Sequence, residues 1–288
     1  MSRQAEYAPI RISTFVTLAA DSPRVEIATE WDSSVRDHRL RAQFPLGAPI
    51  VAAHAEGHFD VLARPVGAAA EGAGWREPPA ATQPQQGYVS VGDGARGLTL
   101  ANRGLPEFEA TPDGGLALTL LRAVGWLSRE DLLTRIGGAG PELPTPEAQC
   151  NGRQRAEYAI IPHSGSWLDS RAYLEAHDYL AALYGSVTGR HAGSLPRRDG
   201  LLEIDGQHTL LMSACKKAER AEALILRFWN VARQAAQARV RLRKPPQSVW
   251  LVDLLEQPID GGQVALDADG SFSLRAGPAQ IVTLEVRW

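Results

Sequence analysis

Apolar and polar residues alternate with a period of two along most of this chain, and that alternation limits the folds open to it. In "RVEIATEW", Val25, Ile27, Thr29 and Trp31 share one face, with Arg24, Glu26 and Glu30 opposite. "HRLRAQF" sets Leu40, Ala42 and Phe44 against Arg39, Arg41 and Gln43, and "ARVRLR" and "IVTLEVRW" repeat the pattern near the end. A side-chain period of two belongs to strands with one face on a core and one in water. Turn residues fall where hairpins need them: "TPDGGL" sits between "FEA" and "ALTLL", and "DADG" between "QVAL" and "SFSL". Many short strands without long intervening helices predict antiparallel sheets stacked as sandwiches, an all-β fold class.

One segment departs towards a helix. In "SWLDSRAYLEAHDYLAALYG", Leu168, Ala172, Ala176, Leu180 and Leu183 recur at helical spacing and Gly185 is placed to end it. The aromatics at 167, 173, 179 and 184 are scattered around that helix. Residues 66–87, "VGAAAEGAGWREPPAATQPQQG", read as a long surface loop. "TGRHAGSLPRRDG", residues 188–200, reads as a linker between a large β-domain over 8–195 and a small one over 199–288. Residues 118–152 read as a buried strand that runs into a Gly- and Pro-rich excursion.

The 288 residues suffice for one large core or two modest ones, and 44% hydrophobic with 22% charged residues fits a folded chain. A formal charge of −3 with interspersed signs gives no electrostatic case for nucleic acid or an anionic membrane. The longest apolar run is broken by Arg122 and falls short of the about 20 residues of a membrane span. Residues 1–12 lack the apolar stretch of a signal peptide. Cys150 and Cys215 form no CxxC, so neither a zinc knuckle nor a disulfide framework is expected. These features lead to an expected cytoplasmic location.

GxSxG, HExxH, a Walker loop and a Rossmann glycine fingerprint are all missing. "GDGARG" and "GGAGPELP" read as turns. His54, His58 and Asp60 could ligate a metal if they shared an extended strand, but Gly57 favours a surface hairpin there. His163, in "IIPHSGSW", reads as a strand-end histidine packed by Trp167 or as a functional group. Asp32 and Asp37 flank "SSVR" beside Trp31 and His38, a mix suited to sugar contact or simply an acidic turn. Trp31, Trp229, Trp250 and Trp288 fall in strand patterns and are assigned to cores. Trp126 and Trp167 lie near loops and are the better candidates for a ligand surface.

Several ordered stretches carry a resemblance. "DHRLRAQFP", "FDVLARPV", "WREPPAATQPQQGYVSV", "GLTLANRGLPEFE", "LTLLRAVGWLSREDLLTR", "GPELPTPEAQCNG", "YAIIPHSGSW", "LLMSACKKAE" and "LILRFWN" resemble, in this order, the C-terminal β region of family 38 glycoside hydrolases, the retaining alpha-mannosidases, in the bacterial variety that includes mannosylglycerate hydrolases. The resemblance runs from about residue 10 to the end. It implies a galactose mutarotase-like supersandwich followed by a smaller sandwich. It also implies that the nucleophilic Asp, the general acid and the zinc ligands belong to a catalytic barrel, followed by a helical bundle, upstream of this region. No catalytic residue, metal ligand or cofactor is therefore expected in this chain, which should be inactive alone. Its partners would be the barrel and helical domain of the same enzyme and a mannose-containing saccharide. Mutarotases use a His and a Glu inside such a sandwich, but no Glu pairs convincingly with His163. In the family, loops of the sandwich help close the sugar pocket. The resemblance points for such a loop to "TPEAQCNGRQR", where Gln149, Asn151 and Arg153 offer amide and guanidinium donors; the other reading is that its prolines and glycines only route a connection across the sheet edge. With His163 and Trp167 these are the carbohydrate-contact candidates. A stand-alone carbohydrate-binding module is the alternative.

Overall fold

A computed structural model describes residues 8–67, 75–132, 135, 137–190, 192–194 and 196–288. The chain divides into two units, Met1–Leu183 and Tyr184–Trp288. That division lies upstream of the break expected between 195 and 199. The linker begins with apolar residues that composition conceals: Leu183, Tyr184 and Val187 are almost wholly exposed.

The first unit is built from β1 (Arg11–Leu18), β2 (Val25–Ser33), β3 (Arg39–Pro45), β4 (Ala52–Glu56), β5 (Val61–Pro65), β6 (Thr82–Pro84), β7 (Tyr88–Gly92), β8 (Arg96–Asn102), β9 (Glu107–Ala110), β10 (Gly115–Arg122) and β11 (Gly152–Ser164). They form a seven-stranded sheet, β1-β2-β11-β8-β7-β4-β5, and a four-stranded sheet, β3-β10-β9-β6, with antiparallel pairing throughout. The core joins the two layers. Ile27, Trp31, Val89, Leu100 and Tyr158 of the large sheet pack with Phe108, Leu116, Leu118 and Leu121 of the small one. Leu40, Ala42 and Phe44 lie against the same core, as their alternation predicted. Burying an aliphatic or aromatic side chain of this size contributes about 1.5–3 kcal/mol, which fixes the register of each strand.

The "TPDGGL" reversal is a true hairpin joining β9 to β10. Gly114 adopts φ +89, and a Cβ there would lie 2.1 Å from the Ala48 carbonyl oxygen, so only glycine closes this turn. The expected loop at 66–87 is shortened by β6, which pairs with β9 and completes the small sheet; residues 68–74 of that loop lie outside the described residues. The helix forms as α1 (Ala172–Leu180), shorter than its pattern suggested. It buries Ala172, Tyr173, Ala176 and Tyr179 against the outer face of the large sheet. Gly185 does not cap it: the amide of Ala181 closes the last turn onto the His177 carbonyl. With α1 above them, β7 and β8 are buried on both faces.

The second unit comprises β12 (Leu202–Gly206), β13 (Leu210–Lys217), β14 (Leu224–Asn230), β15 (Ala236–Leu242), β16 (Ser248–Val252), β17 (Pro258–Val264), β18 (Phe272–Ala276) and β19 (Ile281–Arg287). A three-stranded sheet, β12-β15-β18, packs on a five-stranded one, β13-β14-β19-β16-β17. β15 alternates strictly, with Ala236, Ala238, Val240 and Leu242 inward. Three expectations change here. "DADG" is a tight reversal, but its flanks make only the single bridge Leu266–Phe272, and β17 and β18 belong to different sheets. β19 is central and buried on both faces, not half-solvated. Its outward Thr283 accepts a hydrogen bond from Arg227, and Glu285 pairs with Arg287 at 2.6 Å. Trp288 lies outside the core, 38% exposed, donating its indole N–H to the Lys244 carbonyl, and Trp250 is half-buried. Trp31 and Trp229 are buried as expected.

Candidate functional site

The excursion expected within residues 118–152 begins at Arg122, where β10 ends, and returns at Gly152, where β11 starts. Its described residues are tied together near both ends. The Trp126–Pro144 bridge, the Leu127 amide on the Leu143 carbonyl (2.9 Å) and the Thr145 amide on the Gly125 carbonyl (2.8 Å) hold its two limbs together. A short 3-10 helix, Pro146–Gln149, ends the return limb, with Cys150 left-handed at φ 50. Trp126 is 46% exposed on this excursion.

Gln149 is the lock rather than a free donor. Its side chain is buried, Oε1 accepts the Asp37 amide (2.9 Å) and Nε2 donates to the Asp37 carboxylate (2.9 Å). Asp37 thus serves the loop between β2 and β3, and its amide partner is consumed internally. Asn151 and Arg153 point outward and remain exposed; the Arg153 guanidinium lies 3.8 Å from Asp32. Arg153 lines an open concavity of about 640 Å³ on the outer face of β1, β2 and β11, with Arg11, Ser13, Glu30, Asp32 and Arg155. Asp32 and Asp37 therefore go to different tasks.

His163 and Trp167 lie elsewhere. Ten residues of extended β11 separate Arg153 from His163, roughly 33 Å at a strand's rise per residue. His163 pairs with Gly97 of β8, and a Cβ on that glycine would fall 2.2 Å from the imidazole Cε1. The ring thus lies flat over Gly97, with Nε2 3.3 Å from the Ser90 hydroxyl and 3.2 Å from that of Thr99. Burial holds the His163 pKa below its usual value, so the neutral ring is favoured, and Nδ1 is buried without a partner. Trp167 does not pack on His163; it meets His54 (5.9 Å), Tyr88 (6.5 Å) and Tyr173 (5.8 Å) ring to ring.

That aromatic group is the feature the sequence concealed. Tyr88 and Glu56, on neighbouring strands of the outer face, are buried beneath α1. Glu56 accepts the Gly87 amide (2.8 Å) and lies 3.1 Å from His177 Nε2, near enough for an ion pair but not aligned as a hydrogen bond. Burial first, then the Glu56 charge, raises the Tyr88 phenol well above its ordinary range. The only sequence signal was the tyrosine opening the apolar run "YVSV". His58 meets Gln86 (3.1 Å), and Asp60 precedes β5 beyond the hairpin bend, so neither joins His54 as a ligand. Among the described residues no three His, Cys, Asp or Glu gather to hold a metal ion.

Family models match two consecutive stretches: residues 3–132 the glycosyl hydrolases family 38 C-terminal domain, and residues 209–284 the family's C-terminal beta sandwich domain. The chain is the C-terminal β region of a family 38 glycosyl hydrolase. This family 38 region is 29% identical over 282 residues to a protein of Halalkalibacterium halodurans named "Putative mannosylglycerate hydrolase", covering 98% of the chain and 29% of that relative. It is 25% identical over 279 residues to human alpha-mannosidase 2C1, covering 95% and 24%. Among solved structures, an alpha-mannosidase from Enterococcus faecalis V583 superposes with TM-score 0.80 at 28% identity, over 98% of this chain and 29% of that one. A second Enterococcus faecalis family 38 protein gives TM-score 0.79 at 27% identity, over 98% and 30%. The chain thus spans only 29% and 24% of the length of these two curated relatives.

Proposed function

We propose that this chain is the non-catalytic β portion of a longer enzyme that hydrolyses alpha-mannosidic bonds. It serves as a scaffold for the catalytic barrel and helical domain, and its excursion forms a lip of the sugar pocket. The supporting observation is the match of both units, in order, to the C-terminal models of one hydrolase family whose members extend well beyond them. Within that role the residues divide. Gln149 and Asp37 stiffen the lip, while Asn151 and Arg153, at its exposed return, offer donors to sugar hydroxyls or to an acidic aglycone. Two free, exposed cysteines suit a reducing cytoplasm; among the described residues no helix is long and apolar enough to cross a membrane.

The test compares the 288-residue chain with the full-length protein on an aryl alpha-mannoside. Turnover is expected from the longer protein alone, and turnover by the pure chain overturns the reading. In the longer protein, Asn151→Ala and Arg153→Ala should raise KM by about tenfold or less with kcat little changed, the signature of lost binding without lost chemistry. Titration of the chain with mannose and mannosylglycerate, followed by tryptophan fluorescence, should show at most weak binding. Saturation at micromolar sugar would favour a self-sufficient binding module instead.

A further inference from the structure

The chain has three asparagines, and folding treats them in two ways. Asn102 and Asn230 are buried, and both ends of each side-chain amide are committed to backbone partners. Asn102 Nδ2 donates to the carbonyls of Gln86 (3.1 Å) and Gly87 (3.2 Å), while Oδ1 accepts the Leu105 amide (2.7 Å). Asn230 Nδ2 donates to the carbonyls of Gln234 (2.7 Å) and Gly277 (2.9 Å), and Oδ1 accepts the Ala232 amide (3.1 Å). Asn151 is exposed, and its side chain makes no hydrogen bond among the described residues. The following residue differs as well: Arg103 and Val231 come after the buried two, and a glycine comes after Asn151.

The local geometry leaves the Asn151–Gly152 peptide open to attack from its own side chain. Gly152 has no Cβ to shield its nitrogen, and beyond its two chain neighbours no described atom lies within 4 Å of where one would stand. Asn151 belongs to no helix or strand, and Gly152 is the first residue of β11, where a ladder opens most readily. Left-handed backbone at Cys150 (φ 50) and a positive φ at Gly152 (+98) turn the chain out of the flat strand path that holds a side chain away from the next amide. The flanking ties stop short of this bond: Gln149 is held by Asp37, and Gln154 Nε2 donates to the Cys150 carbonyl (3.2 Å).

We infer that Asn151 is a self-modifying site, at which the Gly152 nitrogen closes on the Asn151 side-chain carbonyl. The Gly152 amide gives its proton to base, its nitrogen bonds to the Asn151 Cγ, and the side-chain nitrogen leaves as ammonia. The cyclic imide then takes up one water. Opening at the side-chain carbonyl yields aspartate; opening at the backbone carbonyl yields isoaspartate, whose main chain runs through one extra carbon. Either product adds a negative charge two residues from Arg153, and isoaspartate also displaces the first pairing of β11, Gly152 with Ser33. In the proposed role, on which only this last consequence rests, an amide donor to sugar becomes an acceptor that repels an acidic aglycone.

The experiment ages the 288-residue chain in warm, mildly alkaline buffer and follows tryptic peptide 136–153, which holds Asn151 alone among the asparagines. The peptide should gain the mass of oxygen in place of NH and split into aspartyl and isoaspartyl forms. Ion exchange of the intact chain should show a species one unit more negative than the formal −3. Asp–Gly bonds elsewhere isomerise without change of mass or charge, so they add nothing to either readout. The rate should fall in mildly acidic buffer and stay within about tenfold of that in the urea-unfolded chain. Peptides holding Asn102 and Asn230 should stay unconverted while the chain is folded, and Asn151→Gln, which would need a larger ring, should keep the starting charge. In the longer protein, KM for mannosylglycerate should rise with the converted fraction towards that of Asn151→Asp; an unmoved KM would count against the sugar-pocket lip and leave the conversion standing. Conversion more than about tenfold slower in the folded than in the unfolded chain, or aspartate formed without isoaspartate, would overturn the inference.

Discussion

Replacing Gln149 by alanine should loosen the excursion without unfolding the sandwich. The substitution deletes two hydrogen bonds, Asp37 N–H to Oε1 and Nε2–H to the Asp37 carboxylate, each 2.9 Å long. A neutral bond of this kind contributes about 1 kcal/mol net and one to a carboxylate about 1.5–3. Asp37 is exposed, so water recovers part of the second term, and the expected loss is about 2 kcal/mol. The rest of the loop retains its own ties, among them the Val124 amide on the Ala148 carbonyl and the Thr145 amide on the Gly125 carbonyl. The loss should therefore appear as local opening. A cost of 2 kcal/mol corresponds to roughly a 30-fold faster exchange of the Asp37 amide. Hydrogen exchange resolved to single amides reads this directly, with amides of Leu100 and Leu118 in the core as unchanged references. Gln149→Glu sharpens the test. It removes the Nε2 donor and sets a carboxylate against that of Asp37, so at pH 7 it should exceed the alanine effect and relax as pH falls below about 4.5. An Asp37 amide whose exchange changes less than about twofold in Gln149→Ala would refute the lock, as would a glutamate variant no worse than alanine at neutral pH.

Other consequences can be checked alongside. Gly97→Ala drives a methyl group into the His163 ring and should cost about 1–3 kcal/mol, largely restored in the double variant with His163→Ala. Gly114→Ala, which meets the Ala48 backbone instead of a movable side chain, should have no such rescue; equal rescue of both by any one side-chain change would contradict this geometry. Burial lowers the folded-state pKa of His54 and His163 below the ordinary 6.5. The unfolded chain then binds more protons at mildly acidic pH, so stability is fully present above about 6.5 and falls as pH drops below it. Urea midpoints between pH 7.5 and 5.5 should follow that slope, with a shallower fall in His163→Asn; a flat profile would show that the rings gain no exclusion from water. Limited trypsin digestion should cut first at Arg190, Arg197 or Arg198, in the exposed linker, leaving two resistant fragments that electrophoresis separates. An earlier cut inside 11–183 would place the weak point elsewhere.

Alternation was a faithful guide where one face of a strand met water and only one other layer covered it. β2, β3 and β15 are such strands, and there every inward residue was legible. It misled where a second cover existed that the local pattern could not announce. Thr283 and Glu285 of β19 carry the polar signature of a solvated face, yet both are buried, Thr283 accepting from Arg227 of neighbouring β14 and Glu285 paired with Arg287 at the end of its own strand. The "DADG" flanks likewise look like a hairpin, since tight turns are local chemistry. Which sheet each flank joins is decided by long-range pairing: β17 goes to β16 and β18 to β15.

The candidate site was legible to the same degree and for the same reason. Residue chemistry singled out Gln149, Asn151, Arg153, His163 and Trp167 as donors or stacking surfaces, but function depends on which of these groups stay unspent after folding. Gln149 is spent on Asp37, and Trp167 on three aromatic neighbours beneath α1. His163 keeps one nitrogen on Ser90 and Thr99. Only Asn151 and Arg153 keep outward-facing polar groups, and both lie where the excursion re-enters the sheet. An amide buried in a lock gives a loop stiffness, and the exposed amide of Asn151 and guanidinium of Arg153, further along, lie outside that lock. Gln149 is buried while Asn151 and Arg153 are both exposed, so in the proposed role stability and sugar contact should separate by mutation along this one short segment.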